Sequence, residues 1–349
     1  MSVTTTAPGV AVTGTVAEMT ARLDAERRNG RSVGVVLTMG ALHDGHASLI
    51  ERAVSECDVV AVSVFVNPTQ FAEAGDLANY PRTLAADLEV AGRAGADLVF
   101  APSVAEMYPD WPTPAATTVT VRALGDRWEG LSRPGHFDGV ATVVAKLLVV
   151  AGPCRTYFGE KDFQQLAIVR RMVRDLSLPV EVVGCPTVRE ADGLAMSSRN
   201  VRLGPDERVA AACLHRALVV GADTFGAGAD AGTVEAAMAQ VFDTEPLVTL
   251  DYAVLVDAVD LEPVRRPSGG DGSGAGRPTD PVGHDRPLRL LIAAQVGPVR
   301  LIDNLDPRGA RGARTTPCPP SPRPERCSTS SSWAAGSPGC RPRCAWPHR

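Results

Sequence analysis

The sequence predicts an α/β fold, in which a Rossmann-like, doubly wound parallel sheet precedes a smaller α+β C-terminal domain and a disordered tail. Short β-branched apolar runs alternate with helical segments as far as residue 186. Strands that alternate with helices in this way form βαβ units, whose strands lie parallel. After residue 186 the pattern changes to alanine-rich helical stretches and three strand-like runs. A chain of 349 residues is long enough for two such domains.

The first domain is predicted over residues 16–186, after a flexible N-terminus at 1–15. Buried parallel strands are nearly continuous apolar runs, and such runs occupy 33–37, 59–66, 97–101, 156–158 and 180–185. Helices are predicted at 47–56, 84–92, 139–150 and 163–176. Open sheets of this kind bind ligands at the carboxyl ends of their strands, so functional residues are expected in the loops that follow these runs.

The second, smaller domain is predicted over residues 187–305, as a lid on the first. Its expected helices are 206–224 and 231–243, and its expected strands are 248–256, 288–294 and 299–304. A Gly-, Pro- and Asp-rich insert at 266–286 is predicted to be disordered. From 306 to 349 the hydrophobic periodicity stops. Two interpretations of this tail stay open, a shifted reading frame or an ordinary disordered tail.

The composition argues against several function classes. The chain has 35 basic and 40 acidic residues, a net charge of −5, which argues against a general nucleic-acid-binding surface; so does the aromatic content of 5%. No run approaches 18 uncharged apolar residues and the N-terminus lacks a secretory pattern, so we expect no membrane partner and a cytoplasmic location. The eight cysteines include no CxxC pair, which argues against a zinc site.

A glycine-punctuated loop with two histidines follows the first predicted strand. Gly40 and Gly45 let the backbone come close to a ligand. His43 and His46 lie at the start of the next helix, where unpaired N–H groups and the helix dipole favour anions. Imidazoles there can donate to phosphate oxygens that gain charge as a bond to phosphorus breaks. The loop therefore predicts a phosphate site, and the alternative is a turn with two surface histidines.

Two further segments offer phosphate ligands. Ser197, Ser198 and Arg199 place two hydroxyls and a guanidinium in sequence, which suits a phosphate clamp; a Ser-rich linker is the alternative. Lys161 is one of only two lysines among the 35 basic residues, the other being Lys146. A compact ammonium on a flexible stem suits a moving phosphate charge better than a planar guanidinium does, whereas the alternative is a surface lysine.

Six segments, in order, resemble motifs of the pantoate–β-alanine ligase family, whose members are nucleotidyltransferases with a HIGH-type motif. The segments are 38–46 (TMGALHDGH), 64–71 (VFVNPTQF), 80–87 (YPRTLAAD), 129–140 (EGLSRPGHFDGV), 158–166 (FGEKDFQQL) and 188–200 (VREADGLAMSSRN). The similarity runs from 33 to 203 and returns at 288–305. Leu37 stands where the family has Pro and Asp44 where it has Glu, and neither change affects the histidines.

The resemblance implies that the chain condenses pantoate with β-alanine through a pantoyl adenylate, with release of AMP and pyrophosphate. It implies catalytic roles for His43, His46, Lys161, Ser197, Ser198 and Arg199, with His46 as the proton donor. It implies ATP contacts from Thr38, Met39, Gly40, His43, Gly45, His46, Gly159, Glu160, Lys161, Asp162, Val188, Met196, Ser197, Ser198 and Arg199. Pantoate and β-alanine are expected to contact Asn67, Gln70, Arg133 and Gln165, and Asp87 is expected to help hold Mg²⁺. His136 is predicted to be structural, and the family implies a homodimer.

Two alternatives stay open. A different nucleotidyltransferase would share the histidines and the Ser-Ser-Arg segment, but it would not need Gln70 and Gln165 together. A non-catalytic nucleotide binder would result if the unusual C-terminus kept the second domain from closing over the site.

Overall fold

Two sheets organise the part of the chain that the structure, a computed structural model, describes: residues 10–71, 74–264 and 286–309. One sheet has six parallel strands and the other has three antiparallel strands. Both sheets belong to one compact unit of the chain, Met1–Gly312. The predicted fold class, a Rossmann-like sheet with a smaller α+β region after it, is confirmed. The proposed boundary between two domains stays a prediction.

The parallel sheet has the strand order β1-β4-β3-β2-β5-β6. Its strands are β1 (Ala11–Thr13), β2 (Val33–Thr38), β3 (Val59–Val64), β4 (Leu98–Phe100), β5 (Cys154–Gly159) and β6 (Val180–Cys185). From β2 the chain builds outward through β3 on one side and through β5 on the other. The switch point therefore lies between β2 and β5, where their carboxyl ends leave a crevice for a ligand.

Helices cover both faces of this sheet because successive strand residues point to opposite sides. The helices of this part of the chain are α1 (Val16–Arg28), α2 (Asp44–Glu56), α3 (Ala74–Ala78), α4 (Leu84–Ala94), α5 (Val104–Met107), α6 (Glu129–Ser132), α7 (His136–Ala151) and α8 (Phe163–Asp175). Val35 packs in the core that α1, α7 and α8 share, whereas its neighbour Val36 packs in the core with Ile50 of α2 and Leu88 of α4. The sheet is thus buried on both sides.

The antiparallel sheet is formed by β7 (Val248–Asp257), β8 (Leu288–Val296) and β9 (Val299–Leu305). The helices α9 (Pro205–Ala210), α10 (Cys213–Gly226) and α11 (Ala231–Gln240) precede it, and Leu218 of α10 and Met238 of α11 pack against Ile292. Within the described residues, Pro205–Gly226 is the one stretch with the length and apolarity of a membrane span, and half of its apolar window is buried within the protein, as in many core helices.

Several sequence predictions need correction. Ala11–Thr13, predicted within the flexible N-terminus 1–15, forms β1 and pairs with β4; three residues are too few to show a strand periodicity. The predicted helix at 206–224 is divided into α9 and α10 at Ala211 and Ala212, which are buried and keep helical backbone angles. Residues 266–285 of the predicted insert and 310–349 of the tail lie outside the described residues.

Candidate active site

A cavity of about 610 Å³ opens at the carboxyl ends of β2 and β5. The histidine loop and the Ser-Ser-Arg segment both line it, although 150 residues separate them in the chain. It brings together most of the predicted site residues, namely Thr38, Met39, His43, Gly45, His46, Asn67, Gln70, Arg133, Gly159, Lys161, Asp162, Gln165, Val188, Met196, Ser197, Ser198 and Arg199. Gly40, Asp87 and Glu160 are not among the lining residues.

Reciprocal capping at the start of α2 sets the conformation of the two histidines. His43 is the N-cap, and its Nδ1 accepts a hydrogen bond from the Gly45 backbone N–H at 3.1 Å. His46 Nδ1 accepts one from the His43 N–H at 3.3 Å, and the two ring centroids lie 4.1 Å apart. Each imidazole thus satisfies a backbone donor that the first helical turn leaves unpaired.

Both histidines are neutral near pH 7. Burial lowers the pKa of His46 to about 3, and the neighbouring His43 lowers it further. Burial and the Lys161 ammonium lower the pKa of His43. A neutral imidazole whose Nδ1 accepts a hydrogen bond carries its proton on Nε2. Each ring therefore keeps an Nε2–H donor, which suits hydrogen bonding to an anion without a charge on the ring.

Asp87 supports the histidine loop by a hydrogen bond to its backbone. Its Oδ1 accepts from the Leu42 N–H at 2.8 Å and from the Thr83 hydroxyl at 3.3 Å. Gly40, at φ +85°, lies so close that a Cβ there would be 2.9 Å from Asp87 Oδ2. Gly40 therefore serves the turn itself, which explains why it does not line the cavity.

Asp87 has one carboxylate oxygen left over from its contacts with the loop. Asp87 is 2% exposed, and its Oδ2 has no hydrogen-bond partner. That single oxygen is the one ligand it could offer, and the described residues contain no group of three His, Cys, Asp or Glu side chains able to hold a metal. Mg²⁺ that accompanies nucleotide phosphates takes carboxylates from the wall of the site, and Asp87 is not on that wall. The structure shows Asp87 as a support of the loop, and its part in holding Mg²⁺ stays a prediction.

Gln70 is held in place by a buried network. Its Nε2 donates to Met39 Sδ at 2.9 Å, and its Oε1 accepts from Asn67 Nδ2 at 3.1 Å. Asn67 is 1% exposed. Its Nδ2 also donates to the Gly139 carbonyl, and its Oδ1 accepts from the Thr69 and Tyr108 hydroxyls. Asn67 lines the cavity, and its polar atoms hydrogen-bond to Gln70 and to its other neighbours; its contact with a substrate stays a prediction.

His136 joins the same network in the opposite tautomer. Its Nε2 lies 2.9 Å from Arg133 Nη1, which can only donate, so Nδ1 carries the proton and donates to the Gln70 carbonyl at 2.9 Å. Burial and the Arg133 charge lower the pKa of His136 to about 4. These contacts are those of a structural residue that joins Arg133 to the backbone of Gln70.

Lys161 lies on a 3₁₀ turn, Glu160–Asp162, directly after β5. Its Nζ is 3.2 Å from Asp162 Oδ1. Although burial acts in the opposite direction, Lys161 and Arg199 lower the pKa of Asp162. A Cβ on Gly159 would meet no protein atom within 4 Å, so the space beside this residue is left for a ligand. Glu160 instead pairs with Arg289 at 2.9 Å, away from the cavity.

The Val188–Met196 segment forms a hairpin that leads into Ser197. The Met196 N–H donates to the Val188 carbonyl at 3.0 Å, and Gly193 turns the chain at φ +92°. Arg208 of α9 pairs with Glu190 and Asp192 on this hairpin. Ser197 Oγ accepts from the Arg199 N–H at 3.2 Å, so the hydroxyl is already oriented.

A smaller cavity of about 260 Å³ adjoins the first and shares Lys161, Gln165 and Arg199 with it. Arg202 lines both, and Arg300 of β9 lines the smaller one, where it pairs with Glu129. Both cavities are therefore rich in cationic side chains, as a polyphosphate site requires.

Sequence reasoning missed several residues of the wall. Four side chains of α7 line the large cavity at helical spacing: Val140, Val143, Val144 and Leu147. Their i, i+3, i+4, i+7 pattern is readable in the sequence, but it is also the pattern of a core-facing helix, and these residues do belong to the core. Tyr80, present in a quoted motif but given no role, lines the cavity as well.

Comparison with known proteins identifies the family. The model of the pantoate–β-alanine ligase family matches residues 11–306. Pantothenate synthetase of Rubrobacter xylanophilus is 52% identical over 283 residues, which cover 80% of this chain and 92% of that protein. The enzyme of a Nocardioides species is 47% identical over 330 residues and covers 92% of both chains.

Solved structures agree with this result. Pantothenate synthetase from Thermus thermophilus matches with a TM-score of 0.74 and 45% identity, over 85% of this chain and 99% of that one. Pantoate–β-alanine ligase from Francisella tularensis, complexed with β-γ ATP and β-alanine, matches with a TM-score of 0.65 and 30% identity, over 85% of this chain and 97% of that one. Sequence, fold and cavity residues therefore place this chain in the pantoate–β-alanine ligase family.

Proposed function

We propose that this chain joins pantoate to β-alanine in two steps at the β2–β5 cavity. In the first step a carboxylate oxygen of pantoate attacks the α-phosphorus of ATP, the Pα–O–Pβ bond breaks, and pantoyl adenylate and pyrophosphate form. In the second the β-alanine amine attacks the acyl carbon, AMP leaves with the bonding electrons of the acyl–oxygen bond, and the amine loses a proton. The observation that supports this most is the shared cavity of the histidine loop and the Ser-Ser-Arg segment.

The phosphate-facing groups differ in charge, which assigns them different tasks. The neutral His43 and His46 rings donate hydrogen bonds through Nε2–H, whereas Lys161 and Arg199 supply the positive charge that a leaving pyrophosphate needs. With a pKa of about 3, His46 acts in this scheme as a hydrogen-bond donor rather than as a charged acid. Ser197 and Ser198 add hydroxyl donors beside the guanidinium.

The part of the cavity lined by Gln70, Gln165 and α7 suits pantoate. This substrate carries two hydroxyls, a carboxylate and two methyl groups on one carbon. Gln70 and Gln165 offer amide groups for the polar atoms. The α7 stripe with Val143 and Leu147 offers an apolar surface for the methyl groups. A different nucleotidyltransferase would not need this combination, which is the reason to prefer pantoate.

The experiment measures the two half-reactions separately. With ATP and pantoate alone we expect one equivalent of pyrophosphate per active site, and with β-alanine added we expect continuous formation of AMP. Pyrophosphate release that another hydroxy acid supports equally well would favour a different nucleotidyltransferase. ATP binding without any AMP in the presence of both substrates would show a non-catalytic nucleotide binder.

The two lysines provide a matched pair of variants. Lys161→Arg keeps the charge but replaces a compact donor by a planar one, so we expect pyrophosphate release to slow about 10-fold or more. Lys146 lies on α7 with its Nζ 4.9 Å from the Tyr108 ring centroid, a contact that arginine also makes. Lys146→Arg should keep the wild-type rate, and equal rates for the two variants would contradict the role of Lys161.

Three features of the family stay proposals for this chain. Mg²⁺ is expected to accompany ATP, but none of the steps above depends on a metal held by Asp87. A homodimer is expected, and light scattering on the purified protein measures it. The expected compartment is the cytoplasm, with small molecules rather than nucleic acid or membranes as partners.

A further inference from the structure

We propose that Asp303 and Asn304, consecutive buried residues of β9, fix the spacing between Lys161 and the Ser197–Arg199 segment and so act as positioning residues for the attack on ATP. The inference rests on the proposed function. Neither side chain is among those that line the two cavities, and the exposed fractions are 4% and 3%. Any effect on the reaction must therefore pass through the residues they hold.

Asn304 holds the turn that carries Lys161. Its Nδ2 donates to the Glu160 carbonyl at 2.9 Å and to the Lys161 carbonyl at 2.7 Å. Its Oδ1 accepts from Arg289 Nε at 2.7 Å, and Arg289 in turn pairs with Glu160 Oε2 at 2.9 Å. The Arg289 guanidinium also lies 4.3 Å from the Phe163 ring centroid. The 3₁₀ turn is thus fixed to the antiparallel sheet through its backbone, which limits how the Lys161 side chain can point.

Asp303 holds the hairpin that leads to Ser197. Its two carboxylate oxygens accept from Arg189 Nη1 at 2.6 Å and Nη2 at 3.0 Å, a bidentate pair. Arg189 Nη1 also donates to the Gly193 carbonyl at 2.9 Å, at the turn of the hairpin. The base and the tip of the hairpin are therefore joined to one point on β9, and a bidentate pair fixes orientation as well as distance.

Two adjacent residues of one strand thus connect the two segments that would hold the triphosphate. Consecutive Cα atoms are about 3.8 Å apart, and both residues are paired with β8, so the link is short. Reacting groups lose about 10²-fold in rate when they are displaced by about 1 Å. Loss of this link should therefore impair the step in which both segments act on the triphosphate more than a step in which pyrophosphate is absent.

Asn304→Ala tests the link because it removes both amide donors. We expect pyrophosphate release from ATP and pantoate to slow about 10²-fold. The reaction of isolated pantoyl adenylate with β-alanine should slow far less, because it has no pyrophosphate to hold. A variant that had merely lost folded protein would slow in both half-reactions by the same factor, and that result would overturn the proposal. Wild-type protein that releases no pyrophosphate would instead refute the proposed function.

Two more variants separate positioning from packing. Asn304→Asp keeps the side-chain volume but turns the donors toward Glu160 and Lys161 into acceptors, so it should impair pyrophosphate release at least as much as Asn304→Ala; near wild-type release would contradict the proposal. Val296→Ala makes a cavity in the same sheet at a fully buried site outside the link. It should lower stability and leave the ratio of the two half-reactions unchanged. Asn304→Asp carries the test if Asn304→Ala fails to fold.

Discussion

The histidine loop and the Val188–Met196 hairpin line the same cavity, yet the hydrogen bonds that fix them differ in range. His43 and His46 cap each other three residues apart, and the loop's support from Asp87 comes from a helix in the same sheet layer. The hairpin depends on Arg208 of α9 and, through Arg189, on Asp303 of β9, 114 residues away.

This difference shows which contacts fix the conformation of each segment. The histidine loop is shaped mainly by its own backbone, so a short motif is enough to specify it. The hairpin also has internal hydrogen bonds, such as Met196 N–H to the Val188 carbonyl, but its ion pairs connect it to later segments, Arg208 of α9 and Asp303 of β9. Substitutions within the loop should therefore disturb the first segment, whereas substitutions far along the chain should also disturb the second.

The largest effect is expected at His46. His46→Ala removes the Nε2–H donor, so pyrophosphate release should fall about 10²- to 10³-fold. It also removes the acceptor for the His43 N–H, which should lower the free energy of unfolding by about 1 kcal/mol. Stopped-flow pyrophosphate detection and urea denaturation measure the two effects. His46→Asn is the control, because its Oδ1 can replace Nδ1 but nothing replaces Nε2–H; it should recover stability but not rate. If His46→Asn recovered both stability and rate, the His46 ring would have no role in the reaction.

A smaller effect is expected at Asp87, which separates loop support from metal binding. Asp87→Asn keeps an acceptor for the Leu42 N–H, whereas Asp87→Ala removes it and should cost about 1–3 kcal/mol of unfolding free energy. We expect Asp87→Asn to slow pyrophosphate release only slightly and Asp87→Ala to slow it strongly. The Mg²⁺ concentration for half-maximal rate should be the same in Asp87→Asn and wild type. An increase of tenfold or more in this Mg²⁺ concentration would support the prediction that Asp87 helps hold the metal.

The smallest effect is expected at Arg208, which contacts only the hairpin's carboxylates in the network described. Arg208→Ala should raise KM for ATP about fivefold, equivalent to about 1 kcal/mol, and leave the rate at saturating ATP nearly unchanged. Arg216, whose partner Glu245 lies outside the hairpin, provides the control. Arg216→Ala should leave KM for ATP at the wild-type value. If both variants changed KM equally, the hairpin would not depend on Arg208.

The sequence predicted what local chemistry determines. Buried β-branched runs such as 33–37 marked the parallel strands, and the loops after them contained the predicted phosphate ligands, which line one cavity. It did not predict β1 or the burial of Asp87, because contacts with distant segments decide these. The roles of Asp303 and Asn304 could not be read either, since two polar residues at a strand end carry no local sign of the turn and hairpin that they hold.

The place of β9 in the chain has a consequence for synthesis. It is the last strand of the described residues, and domains fold largely in the order in which the ribosome releases them. A nascent chain that ends before Asp303 already contains both segments proposed to bind the nucleotide, but it lacks the residues proposed to set their separation. Such an intermediate would have the parts of an ATP site without the alignment for turnover, so unfinished chains would consume little ATP.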